Sequence, residues 1–235
     1  VRLARARRDD RQAAPDAIAR VIAMPKRELL LNDLKGERDY GVLLVAQLGG
    51  VPNELQLVIE TAEYDDTVKG LRPRRNYVVR ALGVREHRLS LGLFGRFAFA
   101  TEHPILYHHN APRVAIHFDG KPTSLNELIV DISQTYISTF GPWRNVAEMG
   151  EDLNRAMPMT TLLETGYGLL GTMPKPLAER MAKVLAHHKV KHTLSEEANF
   201  ADADEHGRSR MAQALLIDFG YIVAMDFSVE EMGKV

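Results

Sequence analysis

Seven of the nine histidines fall in two short windows of the chain, and imidazole serves both as a metal ligand and as a general base near neutral pH. The first window, EHPILYHHNAPRVAIHFDG, holds His103, His108, His109 and His117. Neighbours on a strand point to opposite faces, so His108 and His109 can ligate together only where a strand ends, and Pro112 marks such an end. His103, His109 and His117 form the candidate metal set, with an acid such as Glu102 or Asp119. Bound to a divalent metal, they would support metal-assisted hydrolysis. Their spacing matches no established metal motif. The competing expectation is therefore a group of surface and half-buried histidines satisfied by backbone groups, with His117 facing away from Val114, Ile116 and Phe118.

The second window holds His187, His188 and His192, followed by Asp202, Asp204, Glu205 and His206. His188 and His192 would share a face on a continuing helix, but Val190 to Leu194 reads as extended and the glutamate of a zinc-protease helix is missing. Histidine and lysine at a helix C-terminus are also what the helix dipole favours. The acidic run ADADEH lacks the glycine and the spaced ligands of a calcium loop.

A third feature is charge. Residues 71–100 carry Arg72, Arg74, Arg75, Arg80, Arg85, Arg88 and Arg96 against Glu86 alone, with Tyr77, Phe94, Phe97 and Phe99 interleaved. Arginine grips phosphate or carboxylate in a planar, two-pronged contact. Such a surface suits an anionic partner, either nucleic acid or a protein face. Phe97 and Phe99 share one strand face, which points that pair to the core. Residues 1–123 sum to +5 and residues 124–235 to −6, for a net charge of −1. The two parts can thus answer each other within one molecule or between copies. A near-neutral chain is less than a nucleic-acid binder usually shows, so a protein partner or self-association ranks above nucleic acid.

Two spellings invite a cofactor. Gly166 to Gly171, GYGLLG, matches the dinucleotide fingerprint, which requires a buried strand before it and a helix running through the third glycine. Here a helix start precedes it, and Pro174 and Pro176 follow where that helix should run. The expectation is instead a helix end with Gly171 as its C-terminal cap and no bound cofactor. Asp218-Phe219-Gly220 spells the kinase metal triplet but lacks every other part of a kinase, and reads as a hairpin turn.

The elements behind these residues follow from periodicity. The chain has 235 residues, 45% of them hydrophobic and 26% charged, a globular composition. It has no cysteine, which excludes disulfides, thiolate nucleophiles and Cys-ligated metals. No apolar run approaches the roughly 18 residues of a membrane helix. Residues 1–27 form an Arg- and Ala-rich segment without the apolar region of a secretory signal, expected as a solvated, partly helical arm of a cytoplasmic protein.

Residues 28–123 read as short strands between turn signals. Gly41 to Leu48, GVLLVAQL, is a continuous apolar strand expected to be buried on both faces. From Ser124 the period becomes helical: Leu125, Leu128, Ile129, Ile132, Tyr136 and Phe140 line one face. Ser124 and Glu127 spell a capping box. Pro142 suits the start of a second short helix, and Thr161 with Glu164 spells another box. A helix after Pro174 carries Leu177, Met181, Val184 and Leu185. Residues 195–207 read as an exposed loop, and the C-terminus as two strands turning at Asp218 to Gly220.

The expected fold is α+β: an antiparallel, barrel- or sandwich-like β half over residues 28–123, and a helical part with a C-terminal hairpin over residues 124–235, either separate from the β half or one continuous domain with it. The expected function is a non-enzymatic binding or assembly protein whose Arg-rich β half engages an anionic partner, with the histidine-cluster hydrolase as the alternative and no membrane partner.

Overall fold

The computed structural model describes residues 25–196, 203, 206–207 and 210–232. Residues 1–24 of the arm and most of the 195–207 loop lie outside the described residues. In chain order the elements are α1 (Lys26–Asp33), β1 (Asp39–Leu48), β2 (Glu54–Asp65), β3 (Gly70–Leu82), β4 (Glu86–Arg88), β5 (Gly92–Phe94), β6 (Phe97–Ala100), α2 (Tyr107–Asn110) and β7 (Arg113–Asp119). There follow α3 (Leu125–Phe140), α4 (Met159–Thr165), β8 (Tyr167–Pro174), α5 (Lys175–His187), β9 (Lys191–Glu196), β10 (Gln213–Ile217), β11 (Gly220–Ala224) and β12 (Asp226–Glu231). The fold is α+β, with antiparallel pairing throughout.

Three sheets are built, in the orders β12-β3-β2-β1-β5, β4-β11-β10-β6 and β8-β7-β9. The first two enclose one core. Leu43, Leu57, Ile59, Tyr77 and Val79 from one sheet meet Leu215, Ile217 and Ile222 from the other. The chain crosses between these sheets at β3–β4, β4–β5, β5–β6 and β11–β12, giving a sandwich with shared corners. Phe97 and Phe99 pack against this core as their shared face requires. The third sheet lies under α3, α4 and α5, and Val114, Ile116 and Phe118 bury against Leu128, Ile132, Met181 and Leu185. Spatially, therefore, β7 belongs with the helices and β10 to β12 belong with the sandwich, so the division at residue 123 does not coincide with the division of cores.

Local signals explain most elements. β2 alternates, burying Leu55, Leu57 and Ile59. α3 buries Leu128, Ile132, Tyr136 and Phe140, and α5 buries Leu177, Met181 and Leu185. β10 and β11 turn through Asp218 and Phe219, with Asp218 at φ +48°. Residues 28–33, expected as strand, are helical. α1 is pinned by Asp33, whose carboxylate accepts from Tyr77 Oη at 2.8 Å, Thr61 Oγ1 at 3.2 Å and Arg75 at 2.6 Å.

Five expectations are corrected. β1 is not buried on both faces: Leu44 to Leu48 are all exposed, because β5 pairs only with Gly41 to Leu43 and no other described residue continues that edge. Ser124 precedes α3 but makes no side-chain cap, and α4 begins at Met159 after Pro158 rather than at a box on Thr161. The segment after Gly141 forms two 3-10 turns, and the capping box there is Asn145 with Glu148. Finally, GYGLLG is not a helix ending at Gly171. Gly166, at φ +81°, is the left-handed cap of α4, and the next residues are strand β8. The order is helix, glycine, strand, the reverse of a dinucleotide fold. At Gly171 a Cβ would lie 2.1 Å from the Asp152 carbonyl oxygen, since residues 152–154 run along β8 as an extra edge. Among the described residues no helix is long and apolar enough to cross a membrane.

Candidate functional sites

The arginines of β3 face acids on α1, β1, β2 and β12. Arg74 bonds Asp39 and Glu63, each at 2.8 Å; Arg75 bonds Asp33 and approaches Glu231 at 3.6 Å; Arg80 reaches Glu230 at 3.4 Å. Arg72 sits opposite Glu63 in register. The exposed pairs, Arg74 with Glu63 and Arg80 with Glu230, each add only about 0–1 kcal/mol, but every one of these contacts occupies a guanidinium. Glu230 and Glu231 belong to β12, so part of the basic first half is answered by the acidic second half within the molecule. Among the described residues Arg85, Arg88 and Arg96 make no ion pair. Of the interleaved aromatics, Tyr77 and Phe94 are buried, and Phe97 packs between Phe94 and Phe99. They line the core rather than a stacking platform.

Arg88 borders a groove of about 380 Å³ between β5 and the β10–β11 turn. Its guanidinium donates to the Pro142 carbonyl at 3.0 Å and lies over the Tyr221 ring. Leu91, Leu93 and Phe219 in the groove wall are 64%, 57% and 62% exposed. Arg96 adjoins it, its backbone N–H donating to Asp218 of the same wall. Beyond β5 the free part of β1 continues this surface with Leu44, Val45 and Leu48 exposed.

The first histidine window does not converge. His103 caps a 3-10 turn, accepting from the Ile105 N–H at 3.3 Å, and stands edge-on to Trp143. Burial lowers its pKa. His117 is exposed on β7, opposite its buried neighbours. His109 bonds Glu86 at 3.0 Å. Among the described residues the ligand atoms of His103, His109 and His117 do not gather within 4.8 Å of one another. The reason is local: His108 and His109 lie on the short helix α2, not on a strand.

That helix instead joins the two cores. His108 Nε2 lies 2.9 Å from Asp152, whose side chain is 1% exposed. Asn110 exchanges two hydrogen bonds with the backbone of Ala212, just before β10. Glu86, on β4, also accepts from Arg144 at 2.7 Å and from Tyr221 Oη at 2.5 Å. Burial disfavours the Glu86 carboxylate, but the hydrogen bonds from His109 and Tyr221 and the charge of Arg144 outweigh it and hold the pKa down to about 2. Burial and then Glu86 raise the Tyr221 phenol, and burial pushes Tyr136 beside them up to about 12. Glu86, Arg144 and Asp152 were not legible as partners in the sequence, where no spacing links them.

The second window does gather ligands, with a partner the sequence did not suggest. His187 and His188, at the end of α5, meet Asp131 of α3, and His188 Nε2 lies 2.8 Å from the carboxylate. His192 turns away to the Val190 carbonyl. Asp202, Asp204 and Glu205 lie outside the described residues.

No family model, curated protein or solved structure matches this chain.

Proposed function

We propose that this protein is a non-enzymatic assembly protein whose β half supplies the docking surface, and that the occupant of that surface is a second copy of the chain. The observation that carries this reading is the free edge of β1. Strand edges in proteins that stay monomeric are guarded by charge, proline or cover. Gly41 to Leu48 contains no charged residue and no proline, and among the described residues Leu44 to Leu48 have no strand on the side of β1 away from β2. Two such edges can pair antiparallel about a twofold axis without bringing like charges together. The exposed Leu91, Leu93 and Phe219 extend the apolar area. Arg88 and Arg96 give it a positive rim, and residues 124–235 of a second copy carry the opposite sign, −6. Aliphatic side chains at the centre and arginine at the margin favour a protein face over nucleic acid. An edge of five residues is short, so association is weak and concentration-dependent.

Sedimentation velocity over a range of loading concentrations tests this. Wild-type protein is expected to shift from monomer toward dimer as concentration rises, and Val45→Lys or Leu48→Lys to remain monomeric with an unchanged circular dichroism spectrum. A wild-type monomer at every concentration overturns the reading, as does a dimer that both variants preserve. Retention on nucleic acid at low salt that Arg88→Ala and Arg96→Ala abolish would replace it with nucleic-acid binding.

A further inference from the structure

We propose that Asp131, His187 and His188 form a binding site for a divalent transition-metal ion of the zinc class, which clamps α3 to the end of α5. Each residue offers one ligand atom, and these atoms all lie within 4.8 Å of one another. A tetrahedral ion with bonds of about 2.0–2.2 Å holds its ligands roughly 3–3.5 Å apart, so rotamer adjustments alone bring the three onto one ion. The His188 Nε2 to Asp131 distance of 2.8 Å is already in that region.

The donor set is two imidazole nitrogens and one carboxylate oxygen. That is a borderline set, suited to zinc, cobalt or nickel and poorly suited to magnesium or calcium, which demand oxygen. The backbone bearing it is well fixed. α3 and α5 share a core in which Leu128 and Ile132 pack with Met181 and Leu185. Asp131 is thus held beside Ile132, and His187 and His188 follow Leu185 within a turn.

Two features of the surroundings point the same way. The site stands at the C-terminal end of α5, where the helix dipole is negative and a cation is favoured. It opens on a groove of about 430 Å³ whose wall also includes Glu127 and Asn126. Glu127 precedes Asp131 by four residues on α3 and so shares its face, which adds a second acidic side chain to the groove wall. His187 is exposed and His188 is nearly buried, so an ion can enter from solvent and be held from within.

Protein without an affinity tag, stripped with chelator, is titrated with Co²⁺ while its d–d absorption and its melting temperature are followed. One Co²⁺ per chain is expected, with a tetrahedral-type spectrum, a rise in melting temperature and displacement by Zn²⁺. His187→Ala and Asp131→Asn are expected to weaken binding by at least about tenfold, while His117→Ala, at an exposed histidine outside the site, leaves it intact. His187 and Asp131 are both solvent-accessible, so these variants are expected to keep the apo-protein melting temperature. Absence of Co²⁺ binding in wild type overturns the proposal, as does binding equal in all three variants. The β1 edge plays no part in this experiment, so either proposal can fail without the other.

Discussion

His108 and His109 are adjacent in the chain yet bond carboxylates of two different cores: His108 reaches Asp152 at 2.9 Å and His109 reaches Glu86 at 3.0 Å. Because α2 is helical, the two rings diverge by about 100° around its axis, and each finds an acid on its own side. The two bonds differ in what they leave behind when cut. Asp152 is buried, with Arg113 only at 3.8 Å as a further charge, whereas Glu86 keeps Arg144 and Tyr221. His108→Ala is expected to cost about 2–4 kcal/mol because it strands a buried carboxylate, and His109→Ala about 1 kcal/mol. Urea denaturation of the two variants checks the order. A larger loss for His109→Ala would contradict it.

Glu86 links this junction to pH. Its carboxyl titrates near 2 in the folded protein against an ordinary value of 4.5. A depressed carboxylate pKa adds stability that is complete above the unfolded value and is lost as pH falls through the folded one. Stability is therefore expected to drop between about pH 4.5 and 2 by up to about 3 kcal/mol from this group. In Glu86→Gln that part of the acid limb is absent. Denaturation midpoints measured from pH 6 to 2 for both proteins compare the slopes, and identical slopes would remove Glu86 as their source.

Gly171 lets residues 152–154 run against β8. With a Cβ 2.1 Å from the Asp152 carbonyl oxygen, Gly171→Ala forces backbone apart rather than a flexible side-chain tip. A loss of about 1–3 kcal/mol is expected. Because Asp152 moves with that backbone, the His108 contact loosens too, so Gly171→Ala and His108→Ala should be strongly non-additive in a double-mutant cycle. Simple additivity would show that the two positions are independent.

Asp33 fastens α1 to the sandwich through Tyr77, Thr61 and Arg75. Asp33→Ala removes one acceptor from a buried phenol and a buried hydroxyl at once and is expected to cost about 2–3 kcal/mol. Arg80→Ala breaks only the exposed 3.4 Å pair with Glu230 and should cost under about 1 kcal/mol. Thermal melts of the two variants distinguish a built network from surface charge pairing.

The sequence by itself determined the features that reside in local periodicity and turn chemistry. The stripes of α3 and α5, the alternation of β2 and β7, the Asp218 turn and the α+β class all follow from side-chain direction within one element. Failures arose where a local pattern has two solutions or where burial is decided elsewhere. The apolar run after Gly166 is too short to tell helix from strand, and β7 settles it by pairing with residues 167–174. The apolar run of β1 reads as a buried strand, yet its second half is exposed because, among the described residues, β5 stops at Leu43 and no strand continues on that side. The histidines were visible as chemistry, but not their partners. Asp131 lies 57 residues from His188, and Glu86 lies 135 residues from Tyr221. Only the packing of α3 on α5, and of one sheet against another, converts such separations into distances of 2.8 Å and 2.5 Å. Side-chain identity sets what a residue can bond, and tertiary packing decides what stands within reach.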